Sequence, residues 1–261
     1  MTPSSRHTSA PAPSAARDFA AALGELEREL DWGSLEQVYC EGEASGFFSM
    51  RRRDTFIDSG LRIAGELADA LASLAPTAPP RSLYVGAALA ELPLILCERF
   101  ILDREVRWHN LAGAEGAELN RSLAAVEERL ALELPRVDVR EPSVVEPRSC
   151  SHVWMVSVLT DPERFPALHD ALYEMSGDEA SGRGDLASER ARAERLLEQA
   201  LERLAAPGLF STTDEELQLA LPAGVRMGLV IRVPAEGAIT PIVGDRVRFC
   251  RAEPHAARLL R

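Results

Sequence analysis

The passage from 82 to 111 constrains this chain more than any other. SLYVGAALAEL reads as a buried strand that breaks at Gly86 into a tight turn and continues as a helix, and VRWHNL follows as a second strand with a polar end. Strand, glycine turn, helix, strand is the opening unit of a parallel α/β sheet, because parallel neighbours need a crossover long enough to hold a helix. The turn itself is poor in glycine: Ala87, Ala88 and Ala90 follow the single Gly86.

The rest of the chain extends that pattern. Upstream, Phe19, Ala22, Leu23, Leu26 and Leu30 recur at helical spacing, as do Ile57, Leu61, Ala64, Leu67 and Leu71, before Pro76, Pro79 and Pro80 end the second helix. Downstream, strands are expected at 83–85, 106–111, 137–139, 151–159 and 209–211. Helices are expected at 89–102, 116–134, 186–205 and 213–219. Thr160-Asp161-Pro162 reads as the cap of a further helix after the fourth strand. Two closing strands, 224–233 and 246–251, are joined only by a loop and are therefore expected to be antiparallel. The spacing predicts a three-layer, Rossmann-like, mostly parallel sheet with a closing antiparallel hairpin, preceded by N-terminal helices. It divides the chain into a Pro/Ser/Ala-rich tail (1–16), a helical cap (17–79) and an α/β domain (80–261).

Composition narrows the chemistry. The formal net charge of −12 argues against broad nucleic-acid binding, with Arg51-Arg52-Arg53 as a local exception that reads either as a solvated face or as an anion site. All 29 basic residues are arginine. The absence of lysine excludes a P-loop lysine, a Schiff-base lysine and any lysine general base. Four separated cysteines form no CxxC pair, no metal-ligand spacing stands out, and no apolar run approaches the roughly 18 residues of a membrane span. With no secretory signal, a cytoplasmic protein is expected.

The order of elements from about 80 to 252 resembles the class I S-adenosylmethionine-dependent methyltransferases. LYVGAALAE stands where that family has an apolar strand, an acid and GxGxG: Gly86 matches the first glycine, Ala88 and Ala90 replace the next two, and Tyr84 replaces the acid. VRWHNL matches the second strand, whose terminal acid would hold the ribose and is here Asn110. VDVRE lies where the family contacts adenine, through Glu141 or a neighbouring backbone group. HVWMVSVLTD matches the fourth strand, APGLFST the turn into the fifth, and GLVIRV with RVRFCRA the terminal hairpin. The resemblance implies S-adenosylmethionine as cofactor, held by Tyr84, Gly86, Ala88, Ala90, Asn110 and Glu141, and a small-molecule acceptor.

Among single residues, His109 lies at the expected carboxyl edge of the sheet and reads either as a general base or as a packed histidine beside Trp108. Asp161 orients a substrate or merely caps a helix. Glu91 suits a helix dipole, and His152 carries no catalytic assignment. Tyr39, Glu41, Phe47 and Phe48 either cover an acceptor pocket or pack the N-terminal helices. Two functions follow: methyl transfer to a small molecule, or a catalytically inactive fold of the same kind that serves a protein partner or a second copy of itself. A nicotinamide enzyme fits less well, since Ala88 and Glu91 would stand at its second and third glycines.

Overall fold

The computed structural model describes residues 13–39, 50–74, 79–177, 180–240 and 244–255, with no description of the side chains of 13, 37–39 and 50–56. Tyr39, Glu41, Phe47, Phe48 and the Arg51–Arg53 run therefore lie outside the described side chains, as does most of 1–16. Among the described residues no helix is long and apolar enough to cross a membrane.

Three helices come first: α1 (Pro13–Glu29), α2 (Trp32–Tyr39) and α3 (Met50–Ala72). The alternating part follows as β1 (Arg81–Val85), α4 (Leu92–Leu96), β2 (Glu105–His109), α5 (Ala114–Leu130), β3 (Val137–Asp138) and β4 (Cys150–Trp154). The remainder is α6 (Pro166–Leu172), α7 (Leu186–Arg203), β5 (Leu204–Thr213), α8 (Leu217–Arg226), β6 (Leu229–Arg232), β7 (Ala238–Ile239) and β8 (Arg246–Pro254). The sheet runs β3-β2-β1-β4-β5-β8-β6, with β7 also paired to β8. β1 to β5 are mutually parallel; β8 is antiparallel to β5, β6 and β7.

Strand alternation divides the interior into two layers. Tyr84, Trp108, Trp154 and Leu209 face α1, α3, α4 and α5 and share one core with Leu26, Ile63 and Leu67. Leu83, Val85, Val153 and Phe210 face the other way, onto Leu168, Leu197, Leu201 and Ala220 of α6, α7 and α8. The central strands β1, β4 and the second half of β5 are buried on both sides, as a sheet covered on both faces requires, whereas β2 carries the exposed Glu105 and Arg107.

Several boundaries differ from the sequence expectation. The helix expected over 89–102 is three pieces: a 3-10 turn at Leu89–Glu91, α4, and a wide π turn at Cys97–Ile101. The wide turn accompanies a buried ion cluster, since Glu98 within it reaches Arg104 (2.7 Å) and His152 (3.0 Å). The strand expected over 151–159 ends at Trp154, because the Glu216 carboxylate accepts the amides of Val158 and Leu159 at 2.7 Å each and draws that segment out of the ladder. Helix α6 starts at Pro166; Asp161 instead heads a turn, accepting the Glu163 amide at 2.8 Å. Residues 217–226, partly assigned to a strand by apolar content, are α8, and the short β7 lies between the two strands of the expected hairpin.

Candidate functional site

The carboxyl ends of three strands meet in register. Val85 pairs with His109 and His109 with Asp138 across β1, β2 and β3, so the residues after them leave the sheet along one edge. In open α/β folds this edge is where ligands bind. A cavity of about 540 Å³ opens there, with Gly86, His109, Asn110 and Glu141 around its sheet end, and the 163–165 segment ahead of α6 together with α7 supplying its other wall. Of the residues singled out from the sequence, these four come together.

Gly86 turns the chain with φ +69°, a conformation that costs an L side chain about 1–2 kcal/mol. Its amide still donates to His109 O at 2.8 Å, extending the ladder one step beyond the strand. A Cβ here would lie 2.6 Å from Val158 Cγ2, so the turn and the loop after β4 are in contact through the missing side chain.

Beyond Gly86 the turn is sealed by the protein's own carboxylates. The Ala88 amide donates to Glu91 Oε2 (2.8 Å), and the Leu89 amide donates to Glu115 Oε1 (2.9 Å). Burial pushes the Glu91 carboxyl up to about 7; the Ala88 amide works against this and the neighbouring Glu115 charge adds to it. Glu216 plays the same part for the loop after β4, accepting from Val158, Leu159, Thr213 and the Thr212 hydroxyl. Burial raises its pKa, while those amides and the hydroxyl pull it down.

Asn110 is committed in part. Its Nδ2 donates to Ala87 O (2.9 Å) and its Oδ1 accepts the Leu111 amide (2.7 Å), leaving one N–H and one lone pair for a ligand. Trp108 Nε1 donates to the same Ala87 carbonyl at 2.8 Å. His109 is 3% exposed, and its Nδ1–H donates to Arg140 O at 3.0 Å, which leaves Nε2 as the acceptor of the neutral ring. Leu111 and Val139 flank this end of the cavity and are 50% and 57% exposed, an unusual display of apolar surface for residues at a sheet edge.

Tyr84, Ala88 and Ala90 do not line the cavity. Tyr84 points to the opposite face of the sheet, where its hydroxyl donates to Glu98 at 2.6 Å; strand alternation sends it there, since Leu83 and Val85 face the other layer. Ala88 spends its amide on Glu91, and Ala90 packs against the core behind the turn. The face that receives Tyr84 holds a closed polar network. Glu98 accepts from Tyr84, Ser82 and Arg104, and the His152 ring links Glu98 to Ser211 at 3.0 Å on each side. Burial raises the Glu98 pKa, but the His152 and Arg104 charges and these hydrogen bonds outweigh it and hold the carboxyl at about 2.

The sequence reading missed the far wall. Arg192, Arg195, Leu196 and Gln199 fall at i, i+3, i+4 and i+7 on α7 and share one helical face toward the cavity, a spacing that was available in the sequence. Arg164 and Phe165, ahead of α6, join them. Arg192 lies 5.1 Å from the Phe165 ring centroid and donates to Arg164 O at 2.5 Å. Among the described residues no group of three or more His, Cys, Asp or Glu side chains is arranged to hold a metal ion.

No protein-family model and no curated protein sequence matches the chain. Solved structures do show likeness of backbone. The CurJ carbon methyltransferase is 13% identical, with 92% of this chain and 69% of that one covered at a TM-score of 0.43. M. jannaschii TYW2, solved with AdoMet, is 10% identical over 77% of this chain and 76% of its own, TM-score 0.43. T. thermophilus RsmC, a 16S rRNA N2 G1207 methyltransferase, is 13% identical over 78% of this chain, TM-score 0.38. The chain spans only 40% of RsmC and 46% of PH0851, another similar structure. By its strand order and its reversed last strand, the chain has a Rossmann-like fold, a mostly parallel sheet closed by an antiparallel strand.

Proposed function

We propose that the cavity holds S-adenosylmethionine and that the chain transfers its methyl group to a small-molecule acceptor. The observation that carries this reading is the convergence of Gly86, His109, Asn110 and Glu141 on one cavity at the carboxyl edge of β1, β2 and β3. The residues present fit the nucleoside half of the cofactor. Leu111 and Val139 offer exposed apolar surface to a purine, while Asn110 keeps one donor and one acceptor for a ribose hydroxyl. They fit the amino-acid half less closely, because Glu91 and Glu115 already occupy the turn amides and position 84 bears no acid.

When bound, the sulfonium supplies an activated methyl group. The chain's own work is to hold the nucleoside against Leu111 and Val139, align an acceptor and exclude water. His109 has its Nδ1–H fixed on Arg140 O, so Nε2 is the ring nitrogen left to take a proton from an acceptor that must lose one.

One observation favours a second reading, in which the fold has given up its cofactor and acts as a binding or regulatory partner. The carboxylates of Glu91 and Glu115 already satisfy amides that a ligand would otherwise engage. Calorimetric titration with S-adenosylmethionine and S-adenosylhomocysteine separates the two. Saturable binding that is lost in Leu111→Asp, a change at a half-exposed position, supports the cofactor reading. Absence of binding by either compound at millimolar concentration leaves the partner reading in its place.

A further inference from the structure

We propose that the cavity wall formed by α7 and the segment ahead of α6 is a binding site for the phosphate group of a small organic ligand, built from Arg164, Arg192 and Arg195. This rests on the reading of the cavity as a ligand site but not on the ligand being S-adenosylmethionine.

The argument begins with how the chain spends its other arginines. Arg104 is bound to Glu98, Arg121 and Arg129 to Glu29, Arg248 to Asp214, and Arg226 to Glu198. On α7 itself, Glu194 and Glu198 turn toward Arg226 of α8. Arg164, Arg192 and Arg195 differ: among the described residues none of them has a carboxylate within 4.0 Å, and while the same holds for Arg148, Arg183 and Arg246, only the first three line one cavity. Acidic residues outnumber basic ones 41 to 29, so three adjacent guanidinium groups without ion pairs are not a consequence of composition.

Two of the three are also held close to one another. Arg164 is half-buried; desolvation lowers its pKa, the Asp161 charge raises it, and the nearby Arg192 charge lowers it again. Arg192 and Arg164 both approach the Phe165 ring, at 5.1 and 5.9 Å from its centroid. Such a cluster is relieved by an anion placed between its members. Three planar forks, with up to five donors each, match the several oxygens of a phosphate dianion better than the two of a carboxylate. Glu141 lines the sheet end of the cavity and repels an anion there, and Glu163 does so beside Arg164, which keeps the negative group toward Arg192 and Arg195 of α7. A long polyanion is disfavoured by the net charge of −12, whereas a single phosphate inside a cavity meets mainly its local field.

The test uses the full chain and calorimetric titration with pyrophosphate, with malonate as the carboxylate comparison. Pyrophosphate should bind saturably and more tightly than malonate, and affinity should fall with added salt. Arg192→Gln/Arg195→Gln should weaken it about tenfold or more. Both side chains are exposed, so this variant should melt as the parent does. Arg226→Gln, which breaks an exposed pair elsewhere on α7 and α8, should leave the affinity unchanged. Failure of pyrophosphate to saturate, equal or tighter binding of malonate, or full affinity in the double variant would overturn the proposal. Titrating S-adenosylmethionine alongside keeps the two readings apart. Pyrophosphate binding without it removes the methyl-transfer reading and leaves the phosphate site standing, and the converse removes only the phosphate site.

Discussion

The two faces of the sheet treat charge in opposite ways. Under β1 and β4, Glu98 is fully enclosed and gathers Ser82, Tyr84, Arg104 and His152 around itself, and His152 passes its other nitrogen to Ser211. At the carboxyl edge, α7 and the segment ahead of α6 leave Arg164, Arg192 and Arg195 without a carboxylate along the wall of a cavity. A buried charge must find partners within the fold, because an unpaired one costs several kcal/mol. Charges beside a solvent-filled cavity carry no such demand, so their lack of pairing is affordable and available to a ligand. The difference separates charge that the fold consumes from charge that it leaves open to a ligand.

The comparison predicts its own largest effect. Glu98→Gln removes the negative centre of the closed network while leaving Arg104 and His152 enclosed, and should cost about 3–5 kcal/mol in chemical denaturation. The parent should lose this contribution as pH falls from the ordinary carboxylate range toward about 2, since a depressed folded pKa means that acid must protonate the group against its partners. A loss below about 1 kcal/mol would place Glu98 among ordinary surface charges.

Glu91 sharpens the contrast with the opposite sign. Its folded pKa is raised to about 7, so the unfolded chain releases this proton first and stability declines as pH rises from about 4.5 to 7. The decline attributable to it is up to about 3 kcal/mol. Glu91→Gln keeps an acceptor for the Ala88 amide and should flatten that part of the stability–pH curve; an unchanged curve would mean that Glu91 is not the titrating group.

The smallest effect belongs to the turn. Gly86→Ala sets a Cβ at positive φ and 2.6 Å from Val158 Cγ2, and should lower stability by about 1–3 kcal/mol. The sequence alone suggests that a side chain at Gly86 would disturb only a ligand. The contact with Val158 makes such a change a structural one as well, which is why Leu111 is the better probe of binding. Thermal melting of Gly86→Ala beside the parent measures this directly.

How much of the site was legible follows from the reach of the interactions involved. Gly86, His109, Asn110 and Glu141 could be placed from sequence because each ends or follows a strand, and strand order brings such residues to one edge. Tyr84 was assigned to that edge by its position in a motif, and the alternation of β1 turned it to the other face. The break in the helix after β1 and the early end of β4 were not legible, because they answer to Glu98 and Glu216. Glu98 finds His152 across 54 residues, and Glu216 finds Val158 across 58.

Periodicity acts over a few residues, through the alternation of strands and the turn of helices, and that suffices to specify a doubly covered, mostly parallel sheet with a reversed last strand. It also suffices to align Arg192, Arg195 and Gln199 on one helical face. What the tertiary structure alone decided is which polar groups are spent. Glu91, Glu98, Glu115 and Glu216 select partners by proximity in space, and a carboxylate enclosed by amides and arginines reads in sequence like any other glutamate.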